Sequence, residues 1–281
     1  MQVELACLPP DHPRRSALLS REKDLLTEYG ERWAAPLWSL VSEWVYRRGF
    51  IEVVEIGPVC SVATHLLKDL VTGAPVRHVR FYEFVNLPRL AEALEHLAGV
   101  STLEIEAVQI KNNKDRQALR EILTSPHLSR LTTLHVLGDG SENGRIDNKT
   151  AELAFNSPHL SNLRELALYE WTEGMMDPHV RALAKSPHLP RLESLDLRDA
   201  YLAPAVWRAL AKSPHRSALR KLCLNRARVT GQHFGPLQGS GAIHETLEAR
   251  FGADGLDFDS EHTCWEGQKW TQRALVSDTG Y

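Results

Sequence analysis

Residues 181–188 read RALAKSPH, and residues 208–215 read RALAKSPH again, 27 positions later. Two looser copies stand upstream, ILTSPHL ending at Leu128 and AFNSPHL ending at Leu160. A period of roughly 20 to 50 residues marks a chain of stacked units, each burying its apolar face only against its neighbours.

After each SPH comes an apolar frame. Leu192, Leu195, Leu197 and Leu202 form one unit, and Leu219, Leu222, Leu224 and Val229 the next. Leu163, Leu166 and Leu168 precede them, and Leu131, Leu134 and Val136 come before those. Upstream the frame runs on without the tag: Val100, Leu103, Ile105, Ile110; Val76, Val79, Phe81; Ile51, Val54, Ile56. The central positions 54, 79, 103, 134, 166, 195 and 222 are spaced by 25, 24, 31, 32, 29 and 27 residues. The L-x-L core alternates with period two, which predicts a short strand. Helical periodicity lies between the strands, at Val62 to Leu70, Leu90 to Leu97, Leu119 to Leu123, Val180 to Leu183 and Val206 to Leu210. Ser-Pro ends each helix, because the residue before proline is pushed out of the α region and proline cannot donate. The predicted fold class is therefore α/β, a solenoid of about seven parallel strands on a concave face with helices on the convex face.

The frame fits L-x-x-L-x-L-x-x-N-x-L, and over residues 50 to 235 the chain resembles leucine-rich repeat proteins of the ribonuclease-inhibitor type. That resemblance implies a horseshoe. The family's Asn place holds Val59, Phe84, Val108, Asp139, Trp171, Ala200 and Ala227 here. Irregular turns are expected in consequence, above all around Gly138-Asp139-Gly140 and at 170–174. The stretch QVELACLPPDHPRRSALLSREKDLLTEYGERWAAPL (2–37) is similar to the tail of the bacterial repeat-companion domain, a helical module that precedes such repeats. It implies architecture and no activity, and its main body would lie before Met1.

Three segments follow: a helical cap over 1–49, the repeats over 50–259, and a tail over 260–281 that contains no repeat. In the cap, Leu5, Leu18, Leu19, Leu25 and Leu26 lie on predicted helix interrupted by the turn at 8–13. A further helix is predicted from Pro36 to Arg48, with Leu37, Leu40, Val41 and Trp44 on one stripe. An amphipathic cap is what the open end of a repeat stack requires. Trp33, Trp38 and Trp44 supply apolar area there. Downstream, Thr246 to Gly252 reads as a last helix and Leu256 to Asp259 as an edge strand.

Composition narrows the function. With 33 basic and 36 acidic residues the net charge is −3 and the cations are scattered, so a nucleic-acid partner is not expected. No apolar run approaches the ~18 residues of a membrane span and no signal peptide is apparent, so the expected location is cytoplasmic. The four cysteines (Cys7, Cys60, Cys223, Cys264) are far apart and form no C-x-x-C pair, so no disulfide framework and no zinc ribbon are expected. Cys223 falls on an outward strand position.

His127, His159, His188 and His215 recur at the same place in successive units. A residue that follows the repeat reads as structural, here bonding helix-end carbonyls, and no metal is expected. Gly138-Asp139-Gly140 and Gly239-Ser240-Gly241 lack the lysine and strand–helix context of a phosphate loop. No G-x-S-x-G elbow is present. No cofactor and no enzymatic activity are expected.

The working surface is then the concave sheet. Its central row is predicted as Glu55, Arg80, Glu104, His135, Ala167, Asp196 and Cys223, and the row beside it as Gly57, Tyr82, Glu106, Leu137, Tyr169, Arg198 and Asn225. Seven strands at about 4.8 Å give an arc of roughly 30 Å, enough for a helix or an extended peptide. The candidate contact residues are Arg80, Tyr82, Glu104, Glu106, His135, Tyr169, Trp171, Asp196, Arg198 and Asn225. Tyr82, Tyr169, Arg80 and Arg198 serve as anchors, because Tyr and Arg dominate binding energetics. The expected function is a non-enzymatic protein-interaction module. The alternative is a recognition or regulatory part of a larger enzyme whose remainder lies upstream.

Overall fold

The computed structural model describes residues 2–47, 49–57, 64–82, 85–138, 146–169, 176–230, 235–237 and 241–259. The chain opens with helices α1 (Gln2–Cys7) and α2 (Pro13–Ala34), then the hairpin β1 (Glu43–Arg47) and β2 (Phe50–Ile56). Strand and helix alternate from there: α3 (Thr64–Gly73), β3 (His78–Phe81), α4 (Leu87–Glu92), β4 (Thr102–Val108), α5 (Asn113–Leu123) and β5 (Thr133–Gly138). The series continues with α6 (Asn148–Phe155), β6 (Glu165–Tyr169), α7 (Asp177–Lys185), β7 (Ser194–Asp196), β8 (Tyr201–Leu202), α8 (Pro204–Ala211) and β9 (Lys221–Cys223). It closes with β10 (Arg228–Val229), β11 (Gly235–Pro236), α9 (Ala242–Phe251) and β12 (Leu256–Asp257).

The main sheet has nine strands in the order β1-β2-β3-β4-β5-β6-β7-β9-β12. Only β1 is antiparallel to its neighbour; every later pair is parallel. This is a repeating, solenoid-like α/β arrangement. Its nine strands exceed the seven expected, because the hairpin adds β1 at one edge and β12 closes the other. A small second sheet joins β8, β10 and β11 on the turn side.

Register follows the apolar frame. Val54, Val79, Leu103, Leu134, Leu166, Leu195 and Leu222 are successive partners. All are at most 2% exposed, so this row is the spine of the core. Leu119, Ile122, Phe155, Val180, Leu183, Val206, Trp207 and Leu247 pack on it from the helices. Leu137 and Ala167 form a separate cluster, which marks the opposite face of the sheet.

The SPH motif has a local explanation. The four Ser-Pro serines are extended, with φ between −63° and −71° and ψ between 119° and 133°, and at Pro126, Pro158 and Pro214 a one-turn 3-10 helix follows. The serine accepts from the histidine N–H two residues on, as at Ser125 and Ser186. Its hydroxyl also donates to the helix end of the unit before: Ser186 Oγ to Phe155 O and Ser213 Oγ to Ala184 O, both 2.5 Å. The serines therefore bond the helix ends, and the histidine role expected from sequence is corrected: His127 and His215 are exposed. A buried arginine breaks the pattern. Arg216 stands where other units carry Leu128, Leu160 and Leu189, and its guanidinium donates to the carbonyls of Leu189 and Ser186. Burial pulls its pKa down to about 10.

Two of the turns after the strands share one conformation, while positions 139–140 and 170–174, where irregularity is expected most, lie outside the described residues. Asp199 and Arg226, 27 residues apart, both sit in the left-handed region at φ 55°. They pair through two bonds of 2.7 Å, Arg226 Nε to Asp199 Oδ1 and Nη2 to Oδ2. Ala200 and Ala227, in the Asn place, are buried. Asp139 and Trp171 lie outside the described residues, as do Val59, Phe84 and the whole of 260–281.

At the first end one expectation fails. The helix predicted from Pro36 to Arg48 is a short 3-10 turn at Ala35–Leu37 followed by strand β1. Trp44, Val45 and Tyr46 are aromatic and β-branched, which favours a pleated surface, and Gly49 at φ 80° permits the reversal into β2. The hairpin and α2 are tied by Tyr46 Oη donating to Gly30 O at 2.7 Å. Trp33 and Trp38 stay about half exposed, at 49% and 52%, and do not fill the cap's interior.

Candidate functional site: the open face of the sheet

Pairing places Glu55, Arg80, Glu104, His135, Ala167, Asp196, Cys223 and Asp257 side by side in one row on the face away from the helices. In the row above, Leu137 and Tyr169 are paired in register, and Tyr82, Glu106 and Arg198 are tied to it by their contacts with Arg80 and Asp196 in the central row. His78, Thr102, Thr133, Glu165, Ser194 and Lys221 make a third row below, paired in register. Sequence reasoning named two rows and missed the third, although the signal was present: each member stands two residues before the central one.

The first strands carry a connected charge network. Arg80 Nη1 lies 3.2 Å from Glu55 Oε2, and Nη2 lies 2.8 Å from Glu106 Oε1, with Glu104 Oε2 farther off at 3.9 Å. Its guanidinium also sits 5.6 Å from the centre of the Tyr82 ring. His78 Nε2 meets Glu104 Oε1 at 2.7 Å, and His135 Nδ1 is 4.0 Å from the same oxygen.

Burial governs the titration of these groups. It pushes the Glu55 and Glu106 carboxyls up, and Arg80 only partly offsets it. Burial also acts on Glu104, but the His78 hydrogen bond and the surrounding cations outweigh it and hold that carboxyl below its ordinary value. His135 is pulled down to about 4 by burial, against the pull of Glu104, and is neutral at pH 7.

Farther along, the face changes character. Asp196 and Arg198 are 0% and 3% exposed and grip one another, with Nε 2.9 Å and Nη2 2.7 Å from Asp196 Oδ2. The expectation that Asp196, Arg198 and His135 stand open to a partner is therefore corrected: the two charges satisfy each other, and all three are buried. Asn225 is half-buried. Cys223, expected to face outward, is fully buried and disulfide-bonded. Cys7 is free, and Cys60 and Cys264 lie outside the described residues. Tyr169 holds its place on β6, its side chain lying outside the described set together with all of Trp171.

Among the described candidate contacts, Tyr82, Arg80, Glu104, Glu106 and Asn225 thus keep some exposure. Tyr82 is 41% exposed, and Arg80, Glu104 and Glu106 are half-buried around it. Among the described residues no group of three or more metal-ligating side chains is close enough to hold an ion. No described helix is long and apolar enough to cross a membrane.

No family model matches the chain, and no curated protein matches it. Among solved structures the chain is similar to one titled "Crystal structure of Rad7 and Elc1 complex in yeast", with a TM-score of 0.34 and 12% identity over 79% of this chain and 74% of that one.

Proposed function

We propose that this protein is a non-enzymatic protein-interaction module, built as a leucine-rich-repeat horseshoe, that receives a partner segment on the open face of strands β2 to β5. One observation carries the reading. An exposed tyrosine, Tyr82, stands over a guanidinium that three carboxylates hold in place on a hydrogen-bonded sheet. Rigid aromatic and arginine groups presented by a stiff scaffold bind with little loss of conformational entropy.

The test is affinity capture from lysate of the source cells, with wild type beside Tyr82→Ala, followed by hydrogen exchange on the recovered complex. The expected result is a protein retained only by wild type that slows exchange in β2 to β5. A partner retained equally by both, with protection elsewhere, refutes the assignment.

A further inference from the structure

The three rows of the open face carry six carboxylates, Glu55, Glu104, Glu106, Glu165, Asp196 and Asp257, against the cations Arg80, Arg198 and Lys221. Two of those cations are already matched within their own strands or neighbours: Arg198 by Asp196 at 2.7 Å and Lys221 by Asp257 at 3.6 Å. What remains is Arg80 alone against Glu55, Glu104, Glu106 and Glu165. Even with His78 counted as a cation the acids lead by two, and all of them lie on β2, β4 and β6.

A second observation points the same way. Ser194 Oγ, on this face in the strand beside Glu165, is only 5% exposed and has no hydrogen-bond partner. A buried hydroxyl without a partner costs free energy, and here it adjoins a carboxylate whose one resolved hydrogen bond comes from Thr133. The surplus carboxylates Glu55, Glu106 and Glu165 are each pushed up by burial. Arg80 is shared between Glu55 and Glu106 and does not fully offset that burial.

We infer that the partner segment is cationic: an extended stretch of chain crossing β2 to β6 with lysine or arginine side chains reaching down to Glu55, Glu106 and Glu165. This rests on the reading of the face as a protein-binding surface. The dimensions suit it. From β2 to β6 is four strand spacings, about 19 Å, which an extended segment of about six residues covers. Glu55 and Glu106 are two strands and one row apart, about 12 Å, the reach of basic side chains four positions apart on one face of that segment. Tyr82 offers its ring to a guanidinium or ammonium at the open edge.

The experiment uses the full chain and three fluorescein-labelled twelve-residue peptides, carrying Lys, Gln or Glu at every second position in a Ser/Gly background. Binding is read by fluorescence anisotropy at low and high salt. The Lys peptide is expected to bind, to weaken with salt, and to weaken at least tenfold in Glu55→Gln/Glu106→Gln. The Glu and Gln peptides are expected not to bind. The control Glu92→Gln/Glu95→Gln, on the exposed helix side, should bind as wild type does, and thermal unfolding of both variants should show them folded. Equal binding of the Lys and Gln peptides, or equal loss in the control, overturns the inference. Binding by none of the peptides also overturns it, and leaves the open-face reading to the capture experiment. Hydrogen exchange separates the two claims: a Gln or Glu peptide that protects β2 to β5 overturns the charge while sparing the face. A Lys peptide that protects other elements overturns both.

Discussion

Ser186 and Ser157 occupy the same place in successive units, yet their hydroxyls differ. Ser186 donates to Phe155 O, while Ser157 Oγ is buried with no partner. Ser186→Ala should therefore cost about 1–3 kcal/mol by leaving a buried carbonyl unbonded, and Ser157→Ala should be nearly neutral or stabilising. Urea unfolding of the two variants checks this, and equal losses would show that the hydroxyl bond is not what matters. His135 gives a pH test with a definite sign. Its pKa of about 4 lies below the unfolded value of 6.5, so between those values the unfolded chain binds more protons and stability falls as pH drops. Glu55 and Glu106, raised in the fold, act in the opposite sense, so the effect is isolated by comparison with His135→Gln. From pH 6.5 to 4, wild type should lose up to about 3 kcal/mol relative to that variant, measured by urea unfolding at several pH values.

At the scale of elements, the hairpin β1–β2 shows where local pattern misleads. The stripe of Leu37, Leu40, Val41 and Trp44 fits a helix, and the first three are indeed buried, but they reach the core from a 3-10 turn and the bend that follows it. The strand propensity of Trp44, Val45 and Tyr46, together with pairing to β2, outweighs the helical spacing. Tyr46 then anchors α2. Tyr46→Phe should leave Gly30 O unbonded and cost about 1–2 kcal/mol. Amide exchange in α2 should rise more than in α5 to α8; a uniform rise would argue against a separate cap tie. The repeat elements were legible for the opposite reason: at Leu195 or Leu222 helix spacing, strand spacing and the Ser-Pro stop agree.

For the whole molecule, stacking makes each unit depend on its neighbours. Leu195 is fully buried, with Leu166 and Leu222 as its sheet partners. Leu195→Ala should cost about 2–5 kcal/mol as a core truncation, and the lost stability should appear in β6 and β9 as well as β7 when followed by hydrogen exchange. Loss confined to β7 would contradict a stack of mutually dependent units. Charge is organised at this scale too. The net −3 of the chain gives no hint of segregation, whereas three-dimensional pairing gathers an excess of carboxylates onto one half of one face.

From sequence alone came the period, the α/β class, the row of central leucines and the membership of the first two face rows, because a period-two strand inside a constant unit admits only one inward set. Which of the candidate contacts stay accessible was not readable there. Asp196, Arg198 and His135 carry the residue types of a binding surface, and only the fold shows them buried, with the first two satisfying each other. Nor could sequence show that Glu55, Glu104 and Glu106 converge on one arginine, since Arg80 lies 24 to 26 residues from each of them along the chain. Their meeting depends on strand register, which the tertiary packing of the helices against the sheet decides.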